Sequence, residues 1–180
     1  MEGTAAAPRE IAVPVSSFGA LRTELSKEAG ELPTIHALHH AGYAAGGASA
    51  AQLMGGANGL SSMRQETFWS RLSDFFGRRG WGTLERSVSH PGVALLSSAD
   101  WAEAGPVGVT DPDASCCFST GVLSGLLSEV AGGPVAVLEV QCRTRGDERC
   151  CFAFGSEAAI HDLYGRLLEG ADLEGALAAL

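Results

Sequence analysis

The chain has 180 residues, 46% of them hydrophobic and 18% charged, with 12 Lys and Arg against 21 Asp and Glu for a net charge of −9. One sizeable core can be buried, two independent domains would each be small, and no cationic stripe exists to neutralise phosphates, so direct nucleic-acid binding is not expected. The N-terminal residues lack a basic start followed by an apolar run, and no stretch reaches 18 uninterrupted apolar residues. The expected compartment is therefore the cytoplasm, with no membrane span.

Residues 1–10 have no periodicity and read as a disordered arm ahead of a single domain over 11–180. Residues 11–15 suit a short strand, after which Phe18, Leu21 and Leu25 fall on one helical face. The stretch 33–54 is apolar or small at nearly every turn and reads as a buried helix, whose Gly42, Ala45, Gly46, Ser49 and Ala50 allow another backbone to come close. A Gly/Asn/Ser loop over 55–62 leads to an amphipathic helix over 63–76, with Phe68, Leu72 and Phe75/Phe76 on its apolar side. Two strands follow at 81–88 and 93–97, joined by the turn signature His90-Pro91-Gly92. Residues 101–113, with two prolines and several acids, read as a surface loop, and 116–130 as a helix closed by Gly132-Gly133-Pro134. The clearest strands are 135–142 and 149–154, separated by the polar run Arg143-Thr144-Arg145-Gly146-Asp147-Glu148. Strict alternation puts Ala136, Leu138, Val140 and Cys142 on one face of the first, and Cys150, Phe152 and Phe154 on one face of the second. A last helix runs from Ser156 to about Glu169. The sum is an α+β domain with helices packed on a mostly antiparallel sheet.

Five cysteines in a reducing compartment point to metal ligation or to small buried fillers in place of disulfides. Cys142 and Cys150 flank a hairpin centred on Gly146, and Cys116 stands at a helix N-terminus, where the dipole favours a thiolate. Zinc would want a fourth ligand. Glu139 is near in sequence, yet alternation turns it away from Cys142, so it joins only if a bulge intervenes; Cys117 and Cys151 sit one residue from two candidates and stay open as replacements. His36, His39 and His40, at i, i+3 and i+4, crowd one helix face, either as a polar surface or as donors to a ligand. With Tyr43 they are candidate pocket residues, and Trp69, Trp81 and Trp101 are candidate walls of an apolar cavity or plain core.

The runs Gly121-Val-Leu-Ser-Gly125, Gly132-Gly-Pro-Val135, Glu139-Val-Gln-Cys142 and Gly146-Asp-Glu-Arg-Cys150 with Phe152 resemble the C-terminal half of the vinyl-4-reductase domain family; Ala41 to Gly46 and Trp81 to Glu85 are similar to weaker motifs of it. That family includes sensor domains of phenol- and toluene-responsive activators and proteins of bacteriochlorophyll synthesis. The resemblance implies the fold of the ligand domains of nitric-oxide signalling and Golgi transport, a homodimer, and zinc on Cys116, Glu139, Cys142 and Cys150. Cys117 stands where the aromatic sensors carry a tryptophan, a departure at the pocket. The implied role is a stand-alone sensor or carrier of a small hydrophobic or aromatic ligand that passes its signal to an unidentified output protein, since no ATPase or helix-turn-helix follows in the chain. Two rival expectations are an accessory protein or reductase of tetrapyrrole synthesis and a dimerising scaffold. No G-x-S-x-G elbow, phosphate-binding loop or H-E-x-x-H pair is present, so the sequence offers no catalytic residue.

Overall fold

A computed structural model describes residues 9–54, 64–105 and 115–180. Helices α1 (Val15–Ala29), α2 (Glu31–Met54) and α3 (Gln65–Gly77) precede strands β1 (Glu85–His90) and β2 (Val93–Ser98); α4 (Cys117–Ala131), β3 (Ala136–Gln141), β4 (Cys150–Gly155), α5 (Glu157–Leu168) and α6 (Leu173–Ala178) follow. The strands make one antiparallel sheet in the order β1-β2-β4-β3, which is the expected α+β architecture. No helix among the described residues is long and apolar enough to cross a membrane.

Both faces of the sheet are covered. On one side Leu96, Cys150 and Phe152 pack with Phe68, Leu72 and Phe76 of α3, Leu123, Leu126 and Leu127 of α4, and Trp101. On the other, Val93, Leu95, Cys151 and Ala153 pack with Ile160 and Leu163 of α5 and with Ala176 and Leu177 of α6. The 3.6 period sets the buried residue of α3 at every fourth place, and α5 and α6 are stopped from fraying by Ser156 and Asp172, whose side chains accept from Ala159 and Gly175 N–H groups.

Helix α4 is the central element, and α2 lies directly on it. Gly42 and Gly46 of α2 face Gly121 and Gly125 of α4 so closely that a Cβ at any of the four would strike a backbone carbonyl oxygen of the other helix. The close approach expected of the α2 small residues is thus used for helix packing within the chain. The expected burial of the whole helix is corrected: only one stripe, from Thr34 through Leu38, Gly42, Gly46 and Ala50 to Leu53, is covered.

Four further differences from the sequence reading have physical reasons. Residues 11–14 form no strand, because nothing pairs with them and Pro14 opens α1. Residues 81–84 precede β1 without joining it: Gly82 takes a φ of 120°, and Asp100 Oδ1 accepts the Thr83 N–H at 2.8 Å in place of a strand partner. The loop after Trp101 begins with a short 3-10 turn at Ala102–Ala104. Finally, Cys142 does not share a face with Ala136, Leu138 and Val140. Glu139 pairs with Phe152 and Gln141 with Cys151, so Val140 is an extra residue in β3, a bulge that reverses the alternation after it. The expected loop at 55–62, most of the 1–10 arm and positions 106–114 lie outside the described residues; at the inner end of that arm, Glu10 is ion-paired with Arg79 at 2.9 Å.

Candidate metal centre

The bulge at Val140 decides the site. By shifting the register it turns Cys142 to the face that already holds Glu139, Val137 and Phe152, which is the condition that alternation alone failed to meet. Cys150 begins the neighbouring strand on the same face, and Cys116 is the residue just before α4. The three thiol sulfurs and one carboxylate oxygen of Cys116, Glu139, Cys142 and Cys150 lie within 4.8 Å of one another. Cys151 alternates to the opposite core and Cys117 turns into a cleft on the other side of the α4 N-terminus, so neither stands in the cluster.

Each member is held from behind. Cys142 N–H donates to Asp147 Oδ2 at 2.7 Å, and the Cys142 carbonyl accepts from Arg145 and Asp147 N–H groups, so the hairpin closes around that cysteine, with Gly146 supplying a φ of 106°. Cys116 N–H donates to Glu139 Oε2 at 2.8 Å. Arg145 stands 3.9 Å from the same oxygen, and the Glu139 side chain is only 5% exposed. Its other oxygen, Oε1, is buried without a hydrogen-bond partner.

An unpartnered buried carboxylate oxygen costs a few kcal/mol unless something else meets it. Burial, with the Cys142 thiol beside it, pushes the Glu139 carboxyl up to about 7. Among the sulfurs, hydrogen bonds from Cys116 and Cys142, and the Arg143 backbone N–H, hold the Cys150 thiol down at about 3, while hydrogen bonds to Cys142 and Cys150 push Cys116 up. A proton shared among sulfurs is a poor substitute for a cation. Cys116 Sγ and Cys142 Sγ are 3.9 Å apart, and sulfurs bound tetrahedrally at about 2.3 Å stand about 3.8 Å from each other. The donor set and the orphaned oxygen therefore fit a divalent ion.

Sequence reasoning missed Glu103, which lies in the turn after Trp101. Its Oε1 accepts from Phe118 N–H at 3.0 Å and its Oε2 from Ser119 N–H at 2.7 Å and from the Ser119 hydroxyl, so it caps the α4 N-terminus that Cys116 itself leaves uncapped. The same turn is tied to the metal hairpin: Arg143 donates to the Trp101 carbonyl at 2.9 Å and Thr144 to that of Ala104. No local signal could have revealed this, because the partners of Glu103 lie 15 and 16 residues away.

The candidate pocket residues do not meet in one cavity. His36, His39 and His40 line a cleft of about 480 Å³ that also contains Cys117, Glu139, Arg145 and Tyr164. Tyr43 and His39 line a separate, smaller one of about 280 Å³ beside Val135. Trp81 lines a third, of about 180 Å³, with Val13, Val15, Phe18, Ala102 and Glu103. Trp101 is fully buried between Phe76 and Phe152, its indole N–H donating to Ser119 Oγ at 2.8 Å, and Trp69 packs against Phe68 and Phe154 with Arg86 over its ring.

The fold and the cluster define a class: an α+β domain with three cysteines and a carboxylate gathered between its last hairpin and the start of a helix. The family model of the vinyl-4-reductase domain matches residues 104–156, a span that holds all four cluster residues, and so the resemblance read from the sequence holds over that span. An uncharacterized protein of Methanocaldococcus jannaschii is 29% identical over 84 residues, 47% of this chain and 44% of that protein; the chain thus spans under half the length of the curated relative it matches. Among solved structures, the phenol-responsive sensory domain of the transcription activator PoxR, with phenol, is similar at a TM-score of 0.68 and 17% identity, covering 89% of this chain and 83% of that one. A vinyl-4-reductase family protein from Methanocaldococcus jannaschii aligns at 0.54 and 17% identity over 81% and 83% of the two chains. A trafficking protein particle complex subunit 3 from Naegleria fowleri, covalently bound to palmitic acid, aligns at 0.62 and 15% over 78% and 91%. At such identities these likenesses establish the fold.

Proposed function

We propose that residues 11–180 act as one sensor or carrier domain for a small apolar molecule, with its terminal hairpin stapled by zinc on Cys116, Glu139, Cys142 and Cys150. The observation that carries the metal half is the convergence of these four side chains from three elements, with Glu139 Oε1 buried and unpartnered. Three thiolates and a carboxylate suit zinc, and four protein ligands close the coordination shell, so the ion contributes folding energy and does not activate water. The similarity to a phenol-responsive domain supports the sensor half.

The seat we assign to the ligand is the cavity of about 180 Å³ beside Phe18 and Trp81. Phe18, Trp81 and the 11–15 segment give it apolar walls, with Arg79 and Glu103 at a polar edge, and its volume is of the order that a single ring with a small polar substituent occupies. Its roof is the extended segment 11–14, where Ile11 and Val13 are 88% and 60% exposed. Homodimerisation and an unidentified output protein belong to the same reading.

Native mass spectrometry of protein purified from cells tests both halves. One zinc per chain, and uptake of toluene or phenol with a shift of the Trp81 indole resonance, is the expected result. Absence of metal refutes the staple; an unmoved Trp81 signal at saturating toluene and phenol refutes the seat.

A further inference from the structure

A buried centre must be reachable from solvent if it is to be loaded or emptied. The cleft of about 480 Å³ has Glu139 among its lining residues and the three helical histidines at its side. Glu139 therefore stands between two spaces, the sulfur cluster and the cleft, with one oxygen bonded to the Cys116 N–H and the other unpartnered.

His36 and His40 are both exposed and four residues apart on α2, so their Cβ atoms stand about 5–6 Å apart on one helix face. Neutral imidazoles at that spacing are the arrangement by which one helical face grips a divalent transition metal with two nitrogens. His39, between them in sequence, is half-buried and lines the same cleft. On the zinc reading, three thiolates and a carboxylate would outweigh the buried ion by about two negative charges, which would favour a second cation in the cleft. Arg145, the cation that faces the cleft from the hairpin, is directed at Glu139, and Arg22, near Ser115 at the rim, is paired with Glu31 at 3.1 Å.

We propose that His36 and His40 form a second, exchangeable site for a divalent transition metal at the side of the cleft that reaches Glu139, and that this pair supplies the buried centre. The inference rests on the zinc reading of that centre. It gives the histidines a role independent of the apolar ligand, whose seat lies with Phe18 and Trp81.

The test is equilibrium dialysis of the purified full chain against Zn²⁺ and, separately, Ni²⁺, followed by exchange of isotopically labelled zinc into the loaded protein. The expected result is one tight equivalent and one weaker one; H36Q/H40Q, at exposed positions that leave the fold intact by circular dichroism, loses the weaker equivalent, keeps the tight one and exchanges labelled zinc more slowly. No weaker equivalent in the unaltered protein, or its survival in H36Q/H40Q, overturns the site, and unchanged exchange overturns its supply role. A single weak equivalent that disappears in H36Q/H40Q, with no tight one, would instead refute the buried centre, so the two failures are distinguishable.

Discussion

The backbone N–H of Cys116 donates to Glu139 Oε2 at 2.8 Å, joining the start of α4 to the middle of an edge strand 23 residues later. That bond fixes one oxygen of the carboxylate and leaves the other buried without a partner. A metal held there, as proposed, would lock a helix to a hairpin that is distant in sequence.

Cys142→Ser and Cys150→Ser are expected to lose the metal and several kcal/mol of stability, because a structural ion binds the folded state alone. Cys151→Ser, on the opposite core with Val93 and Ile160, should keep the metal and cost about 1–2 kcal/mol. Zinc stoichiometry beside urea denaturation separates the two outcomes. Equal metal loss in all three would contradict the assignment of faces.

Deletion of Val140 should leave metal binding intact, because it removes the one residue without a partner across the ladder: Glu139 still pairs with Phe152 and Gln141 with Cys151, and Cys142 then falls two places after Glu139 on the same face. An alanine inserted between Gln141 and Cys142 instead moves Cys142 one place on and should turn it to the opposite face, with loss of the metal. Zinc stoichiometry of both variants measures this. Loss of zinc in the deletion, or full zinc in the insertion, would contradict the role given to the bulge.

Gly46→Ala and Gly125→Ala are each expected to cost about 3 kcal/mol or more, since the added methyl meets backbone of the facing helix and cannot be accommodated by a rotamer change. Gly47, one residue along α2, has nothing within 4 Å of the point where a Cβ would stand, and Gly47→Ala should gain about 0.5–1 kcal/mol from helix propensity. Midpoints of urea unfolding at constant m-value measure both signs.

Burial pushes the Glu103 carboxyl up to about 7, against the opposing effect of the Ser119 and Phe118 hydrogen bonds. Its folded-state pKa lies above the unfolded value of 4.5, so the folded chain holds the extra proton and stability falls as pH rises from 4.5 to about 7. The contribution is about 3 kcal/mol at most. Glu103→Gln, which cannot titrate and keeps one of the two acceptors for the α4 N-terminus, should remove this slope. Unfolding free energies of the two metal-loaded proteins, subtracted pH by pH, report it; a flat difference would show that Glu103 stays ionised.

Much of this was legible in the residues because it is local. The apolar spacing of Phe68, Leu72 and Phe76, the turn at His90-Pro91-Gly92 and the glycine stop after α4 each follow from short-range rules. So did the small-residue face of α2. The bulge is not readable: Val140 has no glycine or proline beside it, and period-two alternation carries no mark of an inserted residue, so spacing alone groups Cys142 with Ala136, Leu138 and Val140 and sets Glu139 opposite it. The Glu103 cap and the separation of the histidines from Trp81 depend on how distant elements dock, which spacing along one helix cannot encode.

X-ray absorption at the zinc edge of the protein as purified addresses the central claim most directly. One zinc per chain, with three sulfurs at about 2.3 Å and one oxygen at about 2.0–2.2 Å, is the predicted first coordination shell. A protein carrying no metal, or a shell of nitrogen and oxygen without sulfur, would contradict it.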